Sequence, residues 1–381
     1  MKIKYFDILL LVCIILFVFM LFYIFLHKYN TIENETFSQN NTITPNKFNE
    51  IFNNVSLDKF NEIFNGDIVA LPKNLIAIGI SENTYYSYNV EKDHSLFTPF
   101  IHYWYTEIQP NLNLNNYYFI FCFYDGLRER LPYCNTLVPF VPDKQYFLNK
   151  TEISDIDNCS QPILHKHKYI FVNCKIINDD SAICVPDIQY INDNGYENTY
   201  LKNVDENYIA FDEKQSICMY RGNINNGSVY NFKKYENKNN MNQRAYLKKI
   251  KYRINNFDYS DNFKSIEEQL KFKYILDVDG HVNTWNATVW KLYSGSVLLK
   301  TESVWKQWFY DDLIEWVHYV PIKNDFSDLN DKIKWCIDND EKCKEIIKNS
   351  RKFVIEKLNW NKTKNDTINI FKKYTKESFT I

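Results

Sequence analysis

No excess of charge of either sign marks this chain. Its 45 Lys and Arg face 47 Asp and Glu over 381 residues, a formal net charge of −2. That balance excludes the basic footprint of a nucleic-acid partner. The chain also lacks any CxxC pair and any His/Cys cluster with zinc-ligand spacing, so no zinc site is expected. Its last residues, Ser378-Phe379-Thr380-Ile381, carry no KDEL-type retention signal. No small-residue cleavage site follows the long apolar run near the start, which argues against a removable signal peptide.

That run is the first feature present. Residues 8–26 are apolar and uncharged, about 28 Å as a helix and enough to cross a bilayer. Lys2 and Lys4 precede it, while His27, Lys28, Glu33 and Glu35 follow. The sequence therefore predicts a signal anchor behind a short cytoplasmic tail, residues 1–7, with the bulk of the chain luminal. The expectation is a single-pass type II membrane protein on the luminal side of the endoplasmic reticulum or Golgi. Cysteine usage agrees. Cys13 lies in the run, and Cys122, Cys134, Cys159, Cys174, Cys184, Cys218, Cys336 and Cys343 form an even set suited to disulfides. Cys336 and Cys343 are the nearest local pair. In one unbroken helix they stand about 10 Å apart, too far to bridge, unless Asp338-Asn339-Asp340 breaks it. Sequons such as those at Asn54, Asn286 and Asn361 are compatible with a luminal chain.

Residues 27–69 read as a stem, polar and Asn/Thr-rich at first. It ends in a repeat, KFNEIFN, beginning at Lys47 and again at Lys59. Each copy sets Phe and Ile at helical spacing, Phe48, Ile51 and Phe52, then Phe60, Ile63 and Phe64, and is expected to pack on the globular part. Residues 70–215 read as a first α/β domain with strands at 117–124, 169–174 and 182–191, the last around Pro186-Asp187.

Residues 216–355 read as a second α/β domain, and 271–335 carry its clearest pattern. A strand over 272–278 ends at Gly280. A helix over 284–293 precedes Gly295 at the C-cap position. A strand over 297–299, an amphipathic helix over 304–313 and a strand over 317–322 complete the alternation. Such alternation predicts a parallel sheet that binds nucleotides at strand C-termini. Residues 233–253 are basic and read as a solvated helix and loop. A long helix over about 345–372 runs into the closing segment, 356–381.

The stretch KYILDVDG … SGSVLLK … WFYDDLIEWVHYVPIKNDFSDL resembles the C-terminal half of glycosyltransferase family 90. That family holds the Rumi-type protein O-glucosyltransferases and the capsule-associated xylosyltransferases. FYDGLRERLP, Pro186-Asp187 and Tyr220-Arg221-Gly222 occur upstream in the family's order. The resemblance covers about residues 115–355 and is strongest over 271–335. It implies an α/β fold of GT-B type, two Rossmann-like domains, here behind one transmembrane helix. It also implies an inverting enzyme that moves glucose or xylose from a UDP-sugar donor to a hydroxyl of a protein or glycan acceptor, with no metal or other cofactor. A non-catalytic glycan-binding or surface protein on the same fold is the alternative.

An inverting transferase needs a carboxylate to deprotonate the acceptor and cations to hold the departing diphosphate. By resemblance the base is Asp193, although the Arg that usually precedes it is missing; Asp187 is the alternative. Either also suits a cap or turn. Arg221 and Gly222 follow a strand, where a guanidinium and a close backbone can meet a diphosphate. Arg244 matches a second family Arg, or is a solvated charge. Ser294, Gly295 and Ser296 match the family's Gly-Ser turn at the donor, and also suit a helix C-cap. His318 and Tyr319 are a core aromatic pair or lie near the nucleotide. Asp277 and Asp279 spell a DxD, two carboxylates on one side of a strand, but they stand at an ordinary strand end of the family and no metal is expected there. The family's Arg in the helix after Gly280 is absent. Trp285-Asn286-Ala287-Thr288 stands there, leaving His281 or Lys291 to replace it.

Overall fold

The computed structural model describes residues 45–66, 68, 71, 75–90, 98–122, 170–177, 182–224, 229–230, 241–262, 264–280, 282–283, 285–303 and 305–377. The apolar run 8–26, Cys13, Cys134, Cys159, FYDGLRERLP and His281 lie outside them. Among the described residues no helix is long and apolar enough to cross a membrane.

The architecture is α/β, organised on two sheets rich in parallel strands. The first sheet takes β1 (Phe52–Asn54), β2 (Leu75–Ser81), β3 (Thr84–Tyr88), β4 (Asn116–Cys122) and β5 (Ile170–Val172). After β6 (Lys175–Ile176), β7 (Ala182–Cys184) closes it in the order β1-β3-β2-β4-β5-β7. Strands β4, β5 and β7 run parallel, and β2 is antiparallel to both its neighbours. The second sheet is all-parallel. It takes β8 (Gln215–Arg221) and, after the short pair β9 (Val229–Tyr230) and β10 (Met241–Asn242), β11 (Phe257–Ser260), β12 (Phe272–Asp277) and β13 (Val297–Thr301). A two-residue β14 (Trp305–Lys306) pairs with β6, and β15 (Val320–Ile322) completes the order β11-β8-β12-β13-β15.

The second sheet is sandwiched, which is why its strands read as unbroken apolar runs rather than alternating ones. Tyr274, Leu276 and Val297 of its centre face one core with Leu247 and Ile333. Ile275, Met219 and Leu298 face the other with Val289, Leu292 and Val354. The KFNEIFN copies flank the first sheet. Phe48 and Phe52 join one core, Phe60 and Phe64 the other. Phe64 lies so close to Gly79 of β2 that a Cβ there would stand 2.4 Å from its ring. The C-terminal helix Trp360–Glu377 returns to this sheet, where Phe371 stacks on Phe171 at 4.2 Å.

Several sequence expectations need correction. Of the helix expected over 304–313, residues 305–313 form instead the short strand β14 and a 3-10 turn over Tyr310–Asp312. Their apolar residues do not share a face. Trp305 packs into one core, and Phe309 and Leu313 into another. The strand expected over 182–191 stops at Cys184, because the Asp187 side chain accepts from the Tyr190 amide and starts the helix Ile188–Asn192. The helix expected over 345–372 is two, Asp340–Lys357 and Trp360–Glu377, with the Asn359 side chain accepting from the Lys362 amide at the break. The cysteines expected in disulfides are free thiols at Cys174, Cys184, Cys218, Cys336 and Cys343. The chain does break at Asn339 between Cys336 and Cys343, and the Cys343 thiol donates to the Cys336 carbonyl at 3.4 Å.

Candidate active site

A cavity of about 410 Å³ opens at the carboxyl ends of β8 and β12, beside the start of the helix Ala287–Tyr293. In a parallel sheet this is where the loops diverge and ligands bind. Arg221 and Gly222 reach it from the end of β8, Arg244 from the helix Gln243–Ile250, and Asp277, Asp279 and Lys291 from β12 and the helix that follows.

The cations are positioned by different means. Arg221 ion-pairs with Asp258 at 2.6 Å and donates to the carbonyls of Tyr220 and Asp258. Arg244 donates to the carbonyls of Val278, at 2.9 Å, and Asn223, at 3.3 Å. Its guanidinium therefore bridges the loops that leave β12 and β8. Gly222 allows close approach, since a Cβ would meet the Tyr220 hydroxyl at 2.4 Å. Lys291 turns to Asp277 and lies 2.5 Å from it, with both side chains under 10% exposed. Thr288, one turn earlier on the same helix face, donates to the other Asp277 oxygen at 2.8 Å.

Behind Asp277 lies a buried charge cluster. Lys300 stands beside Asp277 in the β12–β13 register, 3.6 Å from its carboxylate and 3.7 Å from that of Asp279. Ser303 donates to Asp279. Burial works to raise the Asp277 carboxyl, but the Lys291 and Lys300 ammoniums outweigh it and hold it well below the usual range. At Asp279 burial, with the Asp277 charge, outweighs Lys300, Ser303 and Arg244, and the carboxyl is pushed up. Burial disfavours the Lys300 charge, yet Tyr310, Asp279 and Asp277 together keep the ammonium well above its ordinary value.

The remaining candidates stand elsewhere. Asp187 is buried as the N-cap, accepting from Tyr196 at 2.6 Å, and burial raises it to about 6 against those hydrogen bonds. Asp193 closes the same helix and accepts from the Thr199 amide and hydroxyl; burial raises it as well. Neither lines the cavity, although Gln189 between them does, its side chain accepting from Asn286 at 2.8 Å. His318 accepts from the Ile314 amide and packs on Phe353. Tyr319 lines a neighbouring cavity.

Ser294, Gly295 and Ser296 form the C-terminal turn of the site helix, at its far end from the cavity. Gly295 takes φ +70° there. Lys214 holds this turn. Its buried ammonium donates to the Ser294 carbonyl, the Ser296 hydroxyl and the Leu270 carbonyl at 2.8–3.2 Å. Burial, helped by Arg351, lowers Lys214 to about 7. Its folded value lies below its unfolded one, so the unfolded chain keeps the proton to higher pH. Stability is therefore expected to rise as pH climbs from about 7 towards 10. Denaturant titrations at several pH values should show that rise in the parent and lose it in Lys214→Met; an equal rise in both contradicts the assignment.

Sequence reasoning named Thr288 only within the stretch that lacks the family's Arg, and passed over Lys300, Gln189 and Asn283 of the two cavity walls. Two signals were available: Thr288 and Lys291 share a helix face, and Lys300 is a charge inside an apolar strand. Trp285, also in the lining, takes φ +78°, a strained value for a bulky side chain.

An α/β protein with three cations and buried carboxylates at parallel strand ends is suited to an anionic, phosphate-bearing ligand. The family model Glycosyl transferase family 90 matches residues 141–379, more than half of the chain, and the chain belongs to that family. The uncharacterized protein 179R of Invertebrate iridescent virus 6 is 45% identical over 93 residues, covering 23% of this chain and 8% of that protein. Protein O-glucosyltransferase 2 of Danio rerio is 40% identical over 83 residues, 22% of this chain and 16% of that protein. The chain thus matches less than a fifth of the length of either. Among solved structures, a glycosyltransferase from Rickettsia africae ESF-5 is 11% identical, covering 60% of this chain and 68% of that one at a TM-score of 0.33.

Proposed function

We propose that the chain is an inverting, GT-B-type glycosyltransferase that moves glucose or xylose from a UDP-sugar to a hydroxyl of a protein or glycan. The observation that carries this is the cavity at the ends of β8 and β12, where Arg221, Arg244 and Lys291 converge. A departing diphosphate needs cations aimed at the charge it develops. Membership of the family and the names of its relatives support sugar transfer. The reaction on this reading needs no metal. The DxD carboxylates are already neutralised by Lys291 and Lys300, so a divalent cation would have to displace buried ammoniums.

Incubating the full-length protein with UDP-glucose and UDP-xylose tests the reading. UDP release and a product of inverted anomeric configuration are expected, both insensitive to EDTA. Activity that EDTA abolishes and Mn²⁺ restores assigns Asp277 and Asp279 to a metal instead. A folded protein that binds no UDP is the non-catalytic alternative, for which the missing helix Arg speaks.

The apolar run 8–26 supports membrane anchorage with the globular part luminal. In microsomes the C-terminal part should resist protease until detergent is added; cleavage without detergent reverses the topology.

A further inference from the structure

A second cavity, about 270 Å³, opens beside the first at the carboxyl ends of β13 and β15. The two share a wall. Lys300 lines the second, while its ammonium sits beside Asp277 and Asp279 of the first. At 3.6 and 3.7 Å those carboxylates balance its charge without forming hydrogen bonds. The Tyr310 hydroxyl also faces this buried ammonium.

The charges of the second cavity differ in kind from those of the first. Lys300 is balanced as described. Lys306 is paired with Asp311 at 2.6 Å. Glu315 hydrogen-bonds the Tyr319 hydroxyl. Glu302, exposed at the end of β13, has no hydrogen bond or ion pair to its carboxylate among the described residues. The cavity thus offers an uncommitted carboxylate and no uncommitted cation, which disfavours a phosphate. It also offers Trp305, Tyr310 and Tyr319 as apolar walls with polar edges. A neutral ring rich in hydroxyls answers all of this. Its hydroxyls donate to Glu302 and accept from Lys300, and its C–H faces lie on the aromatic walls.

We propose that the second cavity seats a sugar ring, with Glu302 accepting hydrogen bonds from its hydroxyl groups. This rests on reading the first cavity as the nucleotide site. The ring is either the one carried by the donor or one belonging to a glycan acceptor; both present the same chemistry to Glu302.

Calorimetric titrations of full-length protein and its Glu302→Ala variant with UDP, UDP-glucose and UDP-xylose test the proposal. They are paired with saturation-transfer NMR of free glucose and xylose on the UDP-saturated protein. UDP should bind both proteins alike. If the ring is the donor's, the sugar nucleotides bind the parent more tightly than UDP, and the variant loses about ten-fold or more of that excess. If the ring is the acceptor's, the variant keeps both nucleotide affinities and loses the free-sugar signal. Glu302→Gln, which keeps one acceptor oxygen, should restore part of the lost binding. Equal binding of all probes by parent and Glu302→Ala, or a parent that binds no sugar in any form, overturns the proposal. A parent that binds neither UDP nor sugar nucleotide refutes the nucleotide reading of the first cavity, and the free-sugar comparison still decides the second.

Discussion

Replacing Asp277 by alanine is expected to lower stability by about 3–5 kcal/mol, the cost of leaving a buried partner charge uncompensated. Asp277 is 5% exposed and its carboxylate holds Lys291 directly, with Lys300 and Thr288 beside it. Removing it takes the carboxylate from the Lys291 ammonium and leaves Lys300 with Asp279 alone. Chemical denaturation of Asp277→Ala against the parent measures the loss, and a change under 1 kcal/mol contradicts the account. The pH dependence has a definite sign. The folded Asp277 carboxyl titrates below its ordinary value, so its stabilisation is complete above that value, about 4, and is lost as pH falls through the folded one. The acid limb of the stability profile should therefore flatten in the variant. Changing Lys291 to Met in the Asp277→Ala background should recover part of the loss, because one stranded charge is then removed.

Replacing Arg244 by alanine is expected to weaken UDP binding by about ten- to a hundred-fold, the worth of a charge-assisted contact of roughly 1.5–3 kcal/mol. Arg244 is singled out because its guanidinium spans the loops that leave β8 and β12 at the cavity. The carbonyls of Val278 and Asn223 hold that guanidinium in place. Titration of the folded variant with UDP provides the check. Unchanged affinity removes Arg244 from the site and leaves the cavity's anion preference to Arg221.

The parts of the fold that sequence made legible are those with one dominant physical requirement. Strands β12 and β13 are buried on both faces, so continuous apolar runs marked them. Arg221-Gly222 and the Asp277–Asp279 stretch stood out because they follow such runs at the strand ends where the cavity opens. Periodicity misled where neighbouring apolar residues serve different cores, as Trp305 and Phe309 do. It misled again where a single Asn starts a new helix, as Asn359 does. Asp187 and Asp193, the possible bases, also cap the helix Ile188–Asn192, the other role their local pattern offered. The Ser294–Ser296 turn was legible as a C-cap, but its lysine partner comes from 80 residues earlier in the chain, a separation no local pattern reveals. The charge cluster was hidden for the same reason: Lys300 meets Asp277 only once two parallel strands align.

Titration of the full-length protein with UDP in the presence of EDTA tests the central claim most directly. Saturable binding without any divalent cation, weakened at least ten-fold in Arg244→Ala, is the predicted result. A folded protein that fails to bind UDP at millimolar concentration, or that binds it only when Mn²⁺ or Mg²⁺ is supplied, would contradict the account.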